Sequence, residues 1–140
     1  MTGDDPDEMG DDLVPRLMTW ARARSRTRSE HTCVLLSSGD VKCFGYNDKG
    51  QLLIGQGDTV SRGELPNQLG DDLPAIDLGT GASAVQVTVG CDHTCVLLDD
   101  GSVKCFGYNN YGQLGQGTTD NIGDDAGEMG DSLMAVPLGV

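Results

Sequence analysis

The residues best equipped for chemistry occur twice. His31, Cys33 and Cys43 return as His93, Cys95 and Cys105, each 62 positions later. An imidazole and two thiols are soft ligands, and three in each copy raise the possibility of a zinc centre. His-x-Cys on an extended segment puts both side chains on one face, but no fourth ligand accompanies them, so no metal is expected. A second group is acidic: Asp120, Asp124, Glu128 and Asp131 crowd one stretch. As a calcium loop it fails, with Ile122 at the third position and no Gly at the sixth. Asp124, Asp125, Glu128 and Asp131 instead read as a solvated acidic loop open to a partner. Gly79-Thr80-Gly81-Ala82-Ser83-Ala84 matches a dinucleotide fingerprint, but that motif needs a helix after its glycines, and the β-type run Val85–Val89 follows. No nucleophile–base pair stands out. Every notable group is duplicated, which points to scaffold and not to a catalytic centre. Neither a catalytic residue nor a cofactor is expected.

These residues sit within a repeat. HTCVLLSSGDVKCFGYNDKGQLLIGQG (31–57) and HTCVLLDDGSVKCFGYNNYGQLGQG (93–117) share one wording, including Gly45/Gly107 and Gln51/Gln113. The first copy is two residues longer between Gln51 and Gly55. Gly-Asp-Asp-Leu at 10–13 and 70–73 returns as Gly-Asp-Ser-Leu at 130–133, at intervals of 60. Self-similarity at such a period marks a repeat architecture. The expected division is 1–30, a partial repeat; 31–90, one repeat; and 91–140, another. Because the wording begins in mid-repeat, a piece of a longer product is the expected origin.

Residues 16–30 break the pattern. They hold five of the nine basic residues and the only Trp. They read as a basic linker or an anion-binding or nuclear-import patch. They also admit a shifted reading frame, since codons for Pro15–Arg24 can be chosen whose third-base frame gives AVDDVGTGA, close to Ala75–Ala82.

Composition narrows the class. The 140 residues include 21 Gly and few aromatics, as in a turn-rich all-β chain, and the net charge is −13. So acidic a chain is poorly suited to a phosphate backbone. No apolar run has the length of a membrane span.

Local patterning predicts hairpins. Thr94–Leu98 and Val103–Tyr108 are β-rich runs around Asp99-Asp100-Gly101, a three-residue loop whose last residue must accept positive φ. Ser37-Ser38-Gly39 repeats it upstream. This register sets Leu97 against Val103, Cys95 against Cys105 and Cys33 against Cys43. The thiols are then close enough for two cross-strand disulfides, or serve reduced as small apolar fillers. With Val85–Val89 and a short final run (Ala75–Leu78; Ala135–Leu138), each repeat is expected to hold four strands, as a β-propeller blade does.

The string VxVGxxHTCVLLxxGxVKCFGYNxxGQLGxG, with its closing Leu-Gly, resembles the regulator-of-chromosome-condensation repeat family. The resemblance covers His31–Gly139 apart from the two-residue insertion, and the first thirty residues poorly. It implies an all-β propeller of about two blades plus a partial one, an incomplete ring, with further blades or further copies needed to close it. It also implies that His31 and His93 pack and hydrogen-bond between blades. The function it implies is non-catalytic protein–protein interaction, with basic partners suited to the acidic loops. Guanine-nucleotide exchange on a small GTPase and substrate recruitment within a ubiquitin ligase are the alternatives. Paired Cys lean to an oxidising compartment, whereas the family's founder is nuclear.

Overall fold

Among the described residues, the β-branched and aromatic wording condenses into six strands in two antiparallel sheets. The computed structural model describes residues 19–22, 31–47 and 59–139. The first sheet has the order β1 (Thr19–Arg22), β2 (His31–Leu35), β3 (Val41–Gly45). The second has the order β4 (Ala84–Val89), β5 (His93–Leu98), β6 (Val103–Gly107). Both hairpins take the predicted register, with Cys33 opposite Cys43, Cys95 opposite Cys105 and Leu97 opposite Val103. Gly39 and Gly101 close them at φ of 89° and 88°.

Two expectations need amending. The sheet boundary falls before Ala84 and not at 90/91, because β4 pairs with β5, so the repeat in the wording and the sheet are offset by one strand. The fourth strand is also slighter than expected. Ile76 donates to the carbonyl of Val41 and Val136 to that of Val103, both at 2.7 Å, and neither segment forms a ladder. Pro74 stands two positions before Ile76, where the next inward N–H would lie, and proline has none to donate, which confines it to an edge. Of the basic segment 16–30, Thr19–Arg22 is a strand beside β2; its other residues lie outside the described set, as do the insertion and Gln51.

The sheets pack face to face, β1 and β2 against β4. Although β2 and β5 carry the same wording, they bury opposite faces. In β2, His31, Cys33 and Leu35 are buried, with Thr32 and Val34 partly exposed. In β5 the order is inverted: Thr94, Val96 and Leu98 are buried, with His93, Cys95 and Leu97 partly exposed. Each blade therefore has two apolar faces, and the core forms where unlike faces meet, Cys33, Leu35, Val41 and Cys43 against Val87, Val96, Leu98 and Phe106. Lys104, awkward on such a face, sends Nζ to the carbonyl of Leu78 at 2.8 Å on the segment linking the sheets.

Hairpin tips report the stacking as well. A Cβ on Gly39 would lie 2.1 Å from Oγ of Ser83, and the carbonyl of Gly39 accepts from Ala84 at 2.9 Å. A Cβ on Gly101 would meet nothing within 4 Å. Both glycines carry the left-handed penalty of about 1–2 kcal/mol for any L side chain. Gly39→Ala is therefore expected to lower the urea midpoint clearly more than Gly101→Ala, and equal losses would deny that the first tip is seated on the second sheet.

The sulfurs are bonded Cys33 to Cys43 and Cys95 to Cys105, and Cys91 is an exposed free thiol. Closing loops this short stabilises by roughly 2–3 kcal/mol each on chain entropy. Cys33 and Cys43 are sealed between the sheets, whereas Cys95 is partly exposed. Titration of oxidised, denatured protein should count one thiol, and graded reductant on folded protein should open Cys95–Cys105 first. Five thiols in the oxidised protein would refute both bonds.

Candidate interaction site

The acidic loop 123–131 is held by its own side chains. Gly123 enters it at φ of 101° and Gly130 leaves it at 69°. One carboxylate oxygen of Glu128 accepts the backbone N–H groups of Gly123 and of Asp125, the latter at 3.0 Å. In the first copy the same post is held by Gln68, whose Oε1 accepts from Gly63, Glu64 and Leu65 at 3.0, 2.9 and 3.0 Å. An amide and a carboxylate share the task because either offers an sp² oxygen; the charge is incidental to it. Asp131 accepts from the N–H of Thr80 at 2.7 Å and its hydroxyl at 2.8 Å. Those bonds, backbone first, and then the nearby Lys104 ammonium hold the Asp131 carboxyl below its usual range. The N–H of Gly130 donates to the carbonyl of Asp77 at 2.9 Å. Two of the four acids predicted as partner-binding residues thus fix the loop, and two are presented by it: Asp124 half-buried and Asp125 exposed.

Oxygens of Asp124, Asp125 and Glu128 lie within 4.8 Å of one another. Three carboxylates, one already accepting two backbone N–H groups, fall short of the six to eight oxygens calcium takes. What the arrangement does is concentrate negative charge beside an opening. A pocket of about 300 Å³ lies there, lined by Gln116, Ile122, Gly127, Glu128, Ser132, Leu133 and Met134. Met134 is 65% exposed at its edge.

His31 is buried, its Nε2 hydrogen-bonded to Thr94 Oγ1 at 2.8 Å across the two sheets. His93, its counterpart, is half-buried on the outer face of the second sheet. The two histidines do not converge with cysteines on one centre, and among the described residues the acidic trio is the one group of metal-ligating side chains gathered together. Gly45 and Gly107 sit at φ of 112° and 116° and bridge to Arg62 and Ile122. Gln113 accepts the N–H of Tyr111 at 2.9 Å.

Sequence reasoning passed over Asn47 and Asn109, both fully buried. Asn109 donates to the carbonyls of Thr118 and Asp120 at 3.0 and 2.8 Å and accepts from Leu114 at 2.9 Å. Asn47 donates to the carbonyl of Val60 at 3.1 Å. The clue was their 62-residue spacing within Phe-Gly-Tyr-Asn.

The profile of the regulator of chromosome condensation (RCC1) repeat matches residues 29–51 and 84–113, the β2–β3 hairpin and the β4–β6 sheet. The chain belongs to that repeat family. It is 43% identical over 86 residues to the E3 ubiquitin-protein ligase MYCBP2 of Danio rerio, a match covering 61% of this chain and 2% of that protein. It is 31% identical over 111 residues to the X-linked retinitis pigmentosa GTPase regulator homolog of Caenorhabditis elegans, covering 77% and 7%. Among solved structures it is similar to human WBSCR16, at 29% identity and a TM-score of 0.50 over 68% of this chain and 22% of that one. Prp20p of Saccharomyces cerevisiae shares the fold at 17% identity and a TM-score of 0.51, over 76% and 23%. The chain spans a small fraction of each of these relatives. Its two sheets are blades of an RCC1-type β-propeller.

Within the RCC1 repeat the roles of Glu128 and His31 are separately testable. Glu128→Gln should keep stability within about 0.5 kcal/mol, while Glu128→Ala should cost about 1–2 kcal/mol by stranding two N–H groups, as urea melts would report. His31 has its pKa lowered to about 4, chiefly by burial, with the Asp92 carboxylate opposing and His93 adding to the depression. An unfolded His protonates near 6.5, so between that pH and about 4 the unfolded chain binds more protons. Stability from this group is complete above pH 6.5, falls as pH drops towards 4 and is flat below. The loss should total on the order of 3 kcal/mol, measured as the difference in pH dependence between the native chain and His31→Gln.

Proposed function

We propose that this chain is a non-catalytic interaction module whose loop 123–131 and adjoining pocket bind a basic segment of a partner protein. The observation that carries the reading is the division of labour in the loop. Glu128 and Asp131 are spent on holding it, so Asp124 and Asp125 are presented on a fixed frame next to an apolar opening. A preorganised acidic rim selects Lys or Arg and speeds encounter, while the pocket takes an apolar side chain beside them. The net charge of −13 favours the same class of partner.

A fluorescent peptide alternating Arg or Lys with Leu is the probe. Its anisotropy should report binding that weakens with salt and falls about tenfold in the double variant Asp124→Asn/Asp125→Asn. Unchanged affinity in that variant, or equal binding of a peptide with Glu in place of the basic residues, overturns the assignment.

A second reading is a substrate-recruiting part of a ubiquitin ligase. It is favoured by the 43% identity to a protein of that description, of which the match covers 2%. Guanine-nucleotide exchange on a small GTPase draws on the similarity to a GTPase regulator homolog. Release of a fluorescent nucleotide from a loaded GTPase, accelerated by this chain, would favour exchange over the binding-module reading.

A further inference from the structure

Along the hairpins the two repeats are nearly one text. From His31 to Asn47 and from His93 to Asn109 they differ only at the tip, with Ser37, Ser38 and Asp40 against Asp99, Asp100 and Ser102. Around the pocket they part. At matching posts, 60 positions apart, Ile122 stands for Arg62, Glu128 for Gln68, Ser132 for Asp72 and Met134 for Pro74. Gly63/Gly123, Gly70/Gly130 and Leu73/Leu133, which turn the loop and floor it, are kept. The frame is thus common to both repeats, and this lining belongs to the second alone. A neighbouring sheet does not cover these posts. In the first repeat Asn67, Asp72 and Pro74 stay exposed although the second sheet packs against the first.

The lining is rich in acceptors. Glu128 commits one carboxylate oxygen to the N–H groups of Gly123 and Asp125, which leaves the other without a donor among the described residues. Gln116 gives its Nε2 to the carbonyl of Met134 at 3.0 Å, which leaves its Oε1 to accept. Ser132 adds a hydroxyl, and Ile122, Leu133 and Met134 supply apolar wall. A purely apolar occupant would take water from the Glu128 carboxylate and return no hydrogen bond. A lysine ammonium is a compact, strongly hydrated charge with its donors at one point. A guanidinium is a flat fork of five N–H donors, with no acceptor, on an aliphatic stem. We infer that the pocket seats an arginine of the bound segment, its stem along Ile122, Leu133 and Met134 and its guanidinium on Glu128, Gln116 and Ser132. The divergence of the repeats has the same sense. The first carries its own guanidinium, Arg62, with the neutral amide of Gln68, and the second carries Ile122 with the carboxylate of Glu128. A cation built into one repeat is left for a partner to bring to the other. The inference rests on the reading of the chain as a binder of basic segments and narrows it: the apolar body in the pocket is the stem of a basic residue itself.

The test uses the amides of acetylarginine, acetyllysine and acetylcitrulline as probes of the full chain, the last keeping the shape of arginine without its charge. The readout is the NMR signal of the Met134 methyl group in protein with isotope-labelled methionine, assigned by its loss in Met134→Leu. The arginine amide should shift that signal to saturation, with an affinity about tenfold above the other two. Glu128→Gln retains the oxygen that holds the loop and removes the charge, so it should bring the arginine amide down to the level of the citrulline one. Equal binding of the three amides, a Met134 signal that the arginine amide does not move, or an affinity indifferent to Glu128→Gln overturns the inference. Should Glu128→Gln lose its β-sheet circular dichroism, the ranking of the three amides on the native chain still decides. Peptides alternating Leu with Arg, or Leu with Lys, separate this result from the broader reading. If both bind alike and both weaken in Asp124→Asn/Asp125→Asn, the acidic rim stands and the arginine seat falls. If the arginine amide saturates the native chain while neither peptide binds, the guanidinium site stands and its assignment to a partner's segment falls.

Discussion

The meeting of unlike faces between two blades is the constraint on which the rest of this structure depends. A three-stranded sheet of small and β-branched side chains has little surface to bury alone. Here the disulfide-bearing face of one sheet covers the Thr-Val-Phe face of the next, with His31 and Thr94 joined across the seam. Burying a histidine is costly unless it is neutral and partnered. The hydroxyl of Thr94 supplies the partner, and burial keeps the ring neutral. Given His31 at the seam, a hydroxyl is needed opposite it, hence Thr and not Val at 94.

From the seam the connections become intelligible. The segment between the sheets is tied by Lys104 to the carbonyl of Leu78 and by Asp131 to Thr80. The long excursions after β3 and β6 are returned to the sheet by the Gly45–Arg62 and Gly107–Ile122 bridges. Buried Asn47 and Asn109 hold those excursions from within by satisfying carbonyls that no strand reaches. The polar residues of this repeat therefore have mostly internal work, and a count of acidic side chains overstates what the surface presents to a partner.

The charge that does remain displayed lies on a loop whose geometry is fixed before any partner arrives. Preorganisation of this kind lowers the ordering cost of association. It also explains how the two copies diverged: Gln68 and Glu128 hold equivalent loops by equivalent bonds, so the positions around them were at liberty to differ in charge. Leu65 stands in one copy where Asp125 stands in the other.

Much was legible in the sequence. The hairpin register, the glycine-closed tips and the opposition of the cysteines follow from local rules, since strand alternation, loop length and positive-φ glycines act over a few residues; the propeller class follows from the family resemblance. The duplicated wording added the repeat. What it did not contain was which face of each blade is covered. Two identical strings bury opposite sides because burial is a property of neighbours, and the two sheets have different neighbours. The same reason hid the work of Asp131 and the partner of His31. Each is settled by a contact with a residue distant in the chain, Thr80 with Asp131 and His31 with Thr94, and pairings over that range are decided by packing in three dimensions and not by any pattern along one.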